Sequence, residues 1–208
     1  MFLWRHSVPS AKRSLPLKKS KKFPGRGWDG VYTREFKIMK KNLELKVELE
    51  DFSDILQNIA SLGVKEAGIL YQVDKYFLIG KKRLKLRNMN GEFQLIYYSR
   101  PNTQESKLSQ YYVFGFTNKQ GVVIEKILNV FFAVKAVVSK KRTLYLYRHT
   151  RIHLDKVEKL GNFLELETVF DKKDPQYDFY DEHNIVINTL GLPRYKKIKS
   201  SYSDLILK

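Results

Sequence analysis

Cysteine is missing from all 208 residues of the sequence. Disulfide bonds, thiolate nucleophiles and cysteine-ligated zinc are therefore excluded, so any metal must bind to oxygen or imidazole. The sequence also lacks a run of eighteen or more apolar residues, and no segment is predicted to span a bilayer. These absences predict a soluble intracellular protein in a reducing compartment, with the cytoplasm as the default location.

Acidic residues are absent from the first 28 positions, which contain eight lysines and arginines. This segment carries almost half of the formal charge of +17 and shows no apolar periodicity, a composition typical of disorder. Residues 1–35 are therefore interpreted as a disordered basic extension and residues 36–208 as one folded domain. The extension resembles a mitochondrial transit peptide, and its KKSKK cluster resembles a nuclear signal or an arm that binds nucleic acid. A solvated extension without any targeting role explains it equally well.

Apolar and polar residues alternate with period two through most of the folded part, which predicts strands. Helical spacing of apolar residues predicts helices near 52–62, 120–131 and 175–190, and SSYSDLILK forms a short last element. Asp51 is the expected N-cap of the first helix, and Gly63 is expected to end it. The eight predicted strands cover 42–49, 66–79, 82–88, 92–99, 107–117, 133–148, 151–158 and 162–170.

Charged residues are concentrated on one face of five of these strands. On a single strand, such a face is usually solvated, with ion pairs worth a few tenths to about 1 kcal/mol each. Five strands with the same pattern favour a shared charged interior instead. The residues are Glu44, Lys46 and Glu48; Arg83, Lys85 and Arg87; Lys140 and Arg142; Arg151, His153 and Asp155; and Glu165 and Glu167.

Eight strands can close into a barrel in which one face of every strand lines a common lumen. The fold class is therefore predicted as β-dominated α+β, a closed or nearly closed antiparallel eight-stranded barrel with amphipathic helices packed outside. Cations in the lumen predict an anionic ligand, and carboxylates there can bind Mg²⁺ or Mn²⁺. Cations for phosphate and acids for a divalent ion are what phosphoryl chemistry uses. The carboxylates are Glu44, Asp155, Glu165 and Glu167.

Several motifs in order resemble one known family. They are KNLELKVEL at 41–49, QVDKYF at 72–77, RLKLR at 83–87, LIYYSRP at 95–101, KLSQYY at 107–112, KKRTLYLY at 140–147, RIHLDKVEKLGNFLELE at 151–167 and SYSDL at 201–205. Together they are similar to the CYTH family of triphosphate tunnel metalloenzymes, which includes class IV adenylate cyclases and thiamine triphosphatases. The resemblance implies that Lys46, Lys85, Arg87, Lys140 and Arg142 grip a triphosphate, while Glu44, Asp155, Glu165 and Glu167 place one or two divalent ions.

Four further residues complete the expected site, and two residues already named have a second expected role. Arg83, Arg100 and Lys107 are further candidate phosphate contacts. His153 is a candidate general base or a partner of Asp155. Lys46 and Arg142 are expected to stabilise charge that develops during the reaction. One position departs from the family pattern. The first strand of family members typically contains Glu-x-Glu-x-Lys, whereas the corresponding motif in this sequence begins with the uncharged Asn42.

Three functions fit these expectations. The first is metal-dependent hydrolysis of a triphosphate, which can be tripolyphosphate, thiamine triphosphate or a nucleoside triphosphate. The second is cyclisation of ATP to cyclic AMP with the same grip. The third is binding of polyphosphate or a triphosphorylated RNA end without turnover, which Asn42 and the basic extension favour. A monomer or a homodimer is expected in each case.

Overall fold

The computed structural model describes residues 38–80, 82–99, 107–171 and 173–208. Its eight strands pair antiparallel in the order β1-β5-β4-β3-β2-β6-β7-β8, and β8 pairs again with β1. The predicted eight-stranded barrel is thereby confirmed as closed, whereas the predicted basic extension lies outside the described residues. The strands are β1 (Ile38–Leu49), β2 (Glu66–Ile79), β3 (Lys82–Met89), β4 (Glu92–Ser99), β5 (Lys107–Phe116), β6 (Val134–Tyr147), β7 (Thr150–Val157) and β8 (Gly161–Val169).

A tight two-residue turn joins β3 to β4. Asn90 and Gly91 both have positive φ angles, 51° and 89°. Two-residue hairpin turns of this hand match the right-handed twist of the strands, and Asn-Gly supplies the two residues that tolerate them best. This turn sets the register in which Arg87 lies opposite Gln94 on β4.

Four α-helices accompany the barrel: α1 (Ser53–Ser61), α2 (Asn118–Phe131), α3 (Phe179–Thr189) and α4 (Tyr202–Ile206). Asp51 accepts a hydrogen bond from the backbone N–H of Ser53 at 2.7 Å, one residue ahead of the cap position taken by Phe52. Gly63, with φ of 66°, ends α1 as predicted. Among the helices of the described residues, none is long and apolar enough to cross a membrane.

Helices cover two parts of the barrel's outward apolar surface, while Ile69 and Val73 of β2 and Val137 of β6 stay exposed. One buried cluster joins β1, β7 and β8 to α1 and α3, and a second joins β2, β3 and β4 to α2. Each fully buried aliphatic side chain in them contributes about 1.5–3 kcal/mol. α2 lies especially close to β4, because a Cβ on Gly121 would come within 2.1 Å of the Phe93 ring. Helices outside leave the lumen to the charged faces, as the sequence predicts.

The short helix α4 packs against one end of the lumen rather than against the outside. Its Tyr202 is 4% exposed and contacts a buried cluster with Val138, Val157 and Phe163. A capping box between Ser201 and Asp204 fixes the start of the helix. The C-terminal element therefore contributes side chains to the interior of the barrel.

Candidate functional site

An aspartate on β2 holds two cations of β3 in the lumen. Asp74 lies directly opposite Arg87 in the strand register. The Arg87 guanidinium donates to both carboxylate oxygens of Asp74 at 2.7 and 2.9 Å, and Lys85 Nζ donates at 3.1 Å. We call Asp74, Lys85 and Arg87 the Asp74 group.

The electrostatics of the Asp74 group favour its charged form. Burial alone would raise the pKa of Asp74, but the charges of Arg87 and Lys85 outweigh burial and hold this pKa far below its usual value. Burial and the neighbouring Arg87 lower the pKa of Lys85 to about 8. With one carboxylate for two cations, the group keeps an excess positive charge that faces the lumen.

A second aspartate, on β7, holds two cations of β6 in the same way. Arg142 donates to both oxygens of Asp155 at 2.6 Å, and Lys140 Nζ donates to one of them at 2.9 Å. The Tyr202 hydroxyl of α4 donates to the same carboxylate at 2.9 Å. We call Asp155, Lys140 and Arg142 the Asp155 group. Its aspartate is fully buried, and the charges of Arg142 and Lys140 outweigh burial and lower its pKa.

Two carboxylates of β8 lie beside the Asp155 group. The Nη2 atom of Arg142, which contacts Asp155, also donates a hydrogen bond to Glu165, and Nη1 of Arg142 lies 4.0 Å from Glu167. Lys46 of β1 lies 3.5 Å from Glu165, its partner in the register between β1 and β8. These cations outweigh the effect of burial and lower the pKa of Glu165, so the acid is ionised near neutral pH.

His153 completes a cluster with these two acids. It lies opposite Glu165 in the register between β7 and β8, and its Nδ1 is 3.8 Å from Glu167. Ligand atoms of His153, Glu165 and Glu167 all lie within 4.8 Å of one another. Burial and the charge of Arg142 lower the pKa of His153 to about 3, which makes the imidazole neutral. Two carboxylates and a neutral imidazole are a donor set that fits a divalent ion.

Four buried polar atoms of the described residues have no hydrogen-bond partner within the protein. All four lie on lumen-facing positions: Asn42 Oδ1, Gln72 Oε1, Ser109 Oγ and His153 Nδ1. Native proteins satisfy nearly all buried polar atoms, so unpartnered ones mark places where another molecule or ion belongs. Their common location indicates that the lumen receives a polar guest.

The remaining predicted residues are less central or less well placed. Arg83 donates to Ser201 at 2.7 Å and pairs with Asp204 at 3.0 Å, so it faces α4. Glu44 is half-buried and lies opposite Glu167 in the register between β1 and β8. The backbone of Lys107 lies opposite Glu44, but its side chain, like all of Arg100, lies outside the described residues. The roles assigned to all of these residues stay predictions.

Sequence reasoning gave no role to Asp74 or Tyr202, although both lie in quoted motifs. A signal for Asp74 was present, because it alternates with Gln72 and Tyr76 on one face of a strand. Buried cations on the next strand require a counter-charge, and Asp74 is the acid in the middle of β2, whereas Glu66 stands at its exposed start. Tyr202 carried no comparable signal, since its contact with Asp155 depends on how the C-terminus folds back.

The fold and the site together define a class: antiparallel tunnel barrels whose lumen pairs cations with carboxylates. The sequence profile of the CYTH domain matches residues 40–202, which is most of the chain. The chain therefore belongs to the CYTH domain family.

Individual relatives agree with this assignment. A Methanocaldococcus jannaschii protein that is provisionally named an adenylate cyclase is 24% identical over 174 residues, covering 78% of this chain and 97% of that protein. The PH1012 protein of Pyrococcus horikoshii has a solved structure with a TM-score of 0.63 and 27% identity, covering 79% of this chain and 98% of its own. A Hippeastrum protein, named an adenylyl cyclase and described as having a dominant triphosphatase activity, has a TM-score of 0.57 at 12% identity, covering 81% and 94%.

Proposed function

We propose that the protein is a divalent-metal-dependent triphosphatase that binds its substrate in the barrel lumen. The observation that supports the proposal is the set of charged side chains in the lumen: five cations on three strands, beside two ionised carboxylates on a fourth. Triphosphate chains need several cations along their length and commonly bind with a divalent ion. The cations are Lys46, Lys85, Arg87, Lys140 and Arg142.

Each cation is already paired inside the protein, which shapes how a triphosphate binds. Arg87 and Arg142 each use one edge of the guanidinium on an aspartate, and a guanidinium has further N–H donors for phosphate oxygens. Lys46 pairs with Glu165 only at 3.5 Å, a distance that allows exchange for phosphate. We therefore expect the two aspartates to keep their arginines in place while phosphate displaces Glu165 and Glu167.

Once phosphate has displaced them from their cations, Glu165 and Glu167 of β8 are the proposed metal ligands. Glu44, which lies opposite Glu167 on β1, is the third proposed ligand. A bound Mg²⁺ or Mn²⁺ would polarise phosphoryl oxygens and neutralise part of the substrate's charge. Lys46 and Arg142 then stabilise negative charge that develops on the phosphoryl oxygens during attack by water. Asn42 contributes only a neutral oxygen on β1, so fewer acids are available here than in the usual family pattern.

Cyclisation of ATP is the second candidate, because the name of the M. jannaschii relative provisionally assigns that activity. The same grip serves both reactions, and the difference is whether water or the ribose 3′-hydroxyl attacks. Triphosphatase activity has been described for the Hippeastrum barrel, but its 12% identity supports the fold alone. Hydrolysis is preferred because it needs only the triphosphate grip and the acids.

The decisive experiment incubates the purified protein with tripolyphosphate, thiamine triphosphate and ATP, each with Mg²⁺ or Mn²⁺. Phosphate, diphosphate and cyclic AMP are then resolved chromatographically. We expect metal-dependent release of phosphate from at least one triphosphate. Formation of cyclic AMP and diphosphate would show that the reaction is cyclisation and not hydrolysis. Tight metal-independent binding without any product would contradict both reactions and indicate a binding module.

A further inference from the structure

His153 is the buried lumen residue whose role the triphosphate grip does not explain. It is 4% exposed, and its Nδ1 has no hydrogen-bond partner within the protein. Leaving a buried polar atom unpaired costs about 1–3 kcal/mol. Glu167 is the nearest acid to this nitrogen, but 3.8 Å is too long for a hydrogen bond. A ligand between the two groups would remove this cost.

We propose that His153 binds the divalent ion directly through Nδ1, together with Glu165 and Glu167, and that the site therefore prefers Mn²⁺ or Co²⁺ to Mg²⁺. The inference concerns the metal of the proposed triphosphatase and rests on that function for its biological meaning.

The geometry of the cluster matches an ion with only small movements. Ligand atoms at about 2.1 Å from one ion are about 4.2 Å apart when they lie on opposite sides of it and about 3 Å apart when they are adjacent. The ligand atoms of His153, Glu165 and Glu167 lie within 4.8 Å of one another, so side-chain rotations have to close the cluster by at most about 2 Å. All three residues are on adjacent strands, and the hydrogen bonds between β7 and β8 hold their backbones in place.

Asp155 is a poorer ligand than His153, although the sequence predicts it for the metal. Its two oxygens already accept hydrogen bonds from Arg142, Lys140 and Tyr202. A metal ion there would have to displace two cations from a fully buried carboxylate. An ion at the cluster with His153 has to displace the contacts that Arg142, Lys46 and Arg151 make with Glu165 and Glu167. The pair between Arg142 and Asp155 stays in place.

An imidazole among the ligands changes which metal binds best. Mg²⁺ strongly prefers oxygen ligands and keeps much of its water, so it gains little from a nitrogen. Imidazole suits later transition ions, and affinity rises from Mn²⁺ towards Co²⁺ and beyond. A site made of carboxylates alone would discriminate less, which makes metal preference a direct measure of the role of His153.

The test measures metal binding without any triphosphate. Titrations of Mn²⁺, Co²⁺ and Mg²⁺ are followed by calorimetry, and Co²⁺ also by its visible absorption. We expect His153→Gln to lower the affinity for Mn²⁺ and Co²⁺ at least about tenfold, because loss of even a residue that only supports a metal ligand has an effect of this size. The affinity for Mg²⁺ should fall less. His149→Gln is the matched control, because His149 contacts Glu182 of α3 instead of the lumen acids. Unchanged Co²⁺ affinity and absorption in a folded His153→Gln protein would overturn the proposal.

A second measurement needs no variant. Small amounts of Mn²⁺ added to the wild-type protein should broaden the imidazole proton signals of His153 before those of His149 and His183. If all three signals broaden equally, the ion does not bind at His153. Both outcomes are independent of turnover. Metal bound at His153 without activity on any triphosphate would refute only the proposed function, and activity without this binding would refute only the inference.

Discussion

The Asp74 group and the Asp155 group are built alike and surrounded differently. In each, one aspartate pairs with a lysine and an arginine two positions apart on the neighbouring strand. The side chains of Lys85 and Arg87 keep 13% and 15% exposure, whereas those of Lys140 and Arg142 keep only 2% and 4%. The first group therefore faces the open lumen, and the second is enclosed.

The neighbours differ as well. Within the described residues, Lys85 and Arg87 form ion pairs with one acid, Asp74, whereas Arg142 also contacts Glu165 and Glu167. An excess of cations suits the end of the site that only grips phosphate. Cations interleaved with extra acids suit the end where metal and reacting phosphoryl group meet. We therefore propose different tasks for these two similar motifs, because the next strand provides acids to one of them only.

Removing the acids found only beside the Asp155 group should have the largest effect. Glu165→Gln with Glu167→Gln should reduce metal-dependent turnover at least about 1000-fold, equivalent to about 4 kcal/mol, because the ion loses its anionic ligands. Arg142 keeps Asp155, so the fold should persist, as circular dichroism would check. Steady-state phosphate release measures the effect.

The control for this variant is Glu50→Gln with Glu158→Gln, which removes the same charge from exposed positions. Its turnover should match the wild type. Activity that survives in the Glu165 and Glu167 variant would place the metal elsewhere and remove the proposed difference between the two groups.

The two aspartates should differ in their contribution to stability. Asp155→Asn leaves enclosed cations without their main partner and should lower the free energy of unfolding by about 4 kcal/mol. Asp74→Asn leaves more exposed cations and should cost about 3 kcal/mol or less. Denaturation with urea compares them, and tripolyphosphate should restore more of the stability of Asp74→Asn. A larger loss for Asp74→Asn would mean that exposure does not separate the groups.

Exchanging each arginine for lysine should separate gripping from catalysis. Lysine keeps the charge but loses the forked contact with aspartate and phosphate. Arg142→Lys should lower kcat about 100-fold, the size of effect seen when one donor to a developing charge is lost. Arg87→Lys should mainly raise KM, by about tenfold. Steady-state kinetics on the best substrate test both, and equal changes in kcat would contradict the division of tasks.

Most of the barrel could be predicted because alternation along each strand fixes which side chains share a face. Lys85, Arg87, Lys140 and Arg142 were placed in the lumen on that basis alone. Which acid pairs with which cation depends on the register between paired strands, both for consecutive strands such as β2 and β3 and for distant ones such as β1 and β8. Periodicity assigns a residue to a face of its strand but does not fix this register. For the same reason the sequence suggested Asp155 as a metal ligand, without showing that three donors already occupy it.

The carboxyls of Asp74 and Asp155 should not titrate near neutrality, because their pKa values are lowered far below it. A pH effect on stability is expected from His183 of α3, which hydrogen-bonds Thr168 outside the lumen and whose pKa burial lowers to about 4. Its neutral form is favoured by folding, so its contribution is complete above the unfolded pKa of about 6.5 and is lost as pH falls towards 4. Between pH 7 and pH 5, His183→Gln should therefore lose about 2 kcal/mol less stability than the wild type. Urea denaturation at both pH values measures the difference, and equal losses would mean that His183 is protonated in the folded protein.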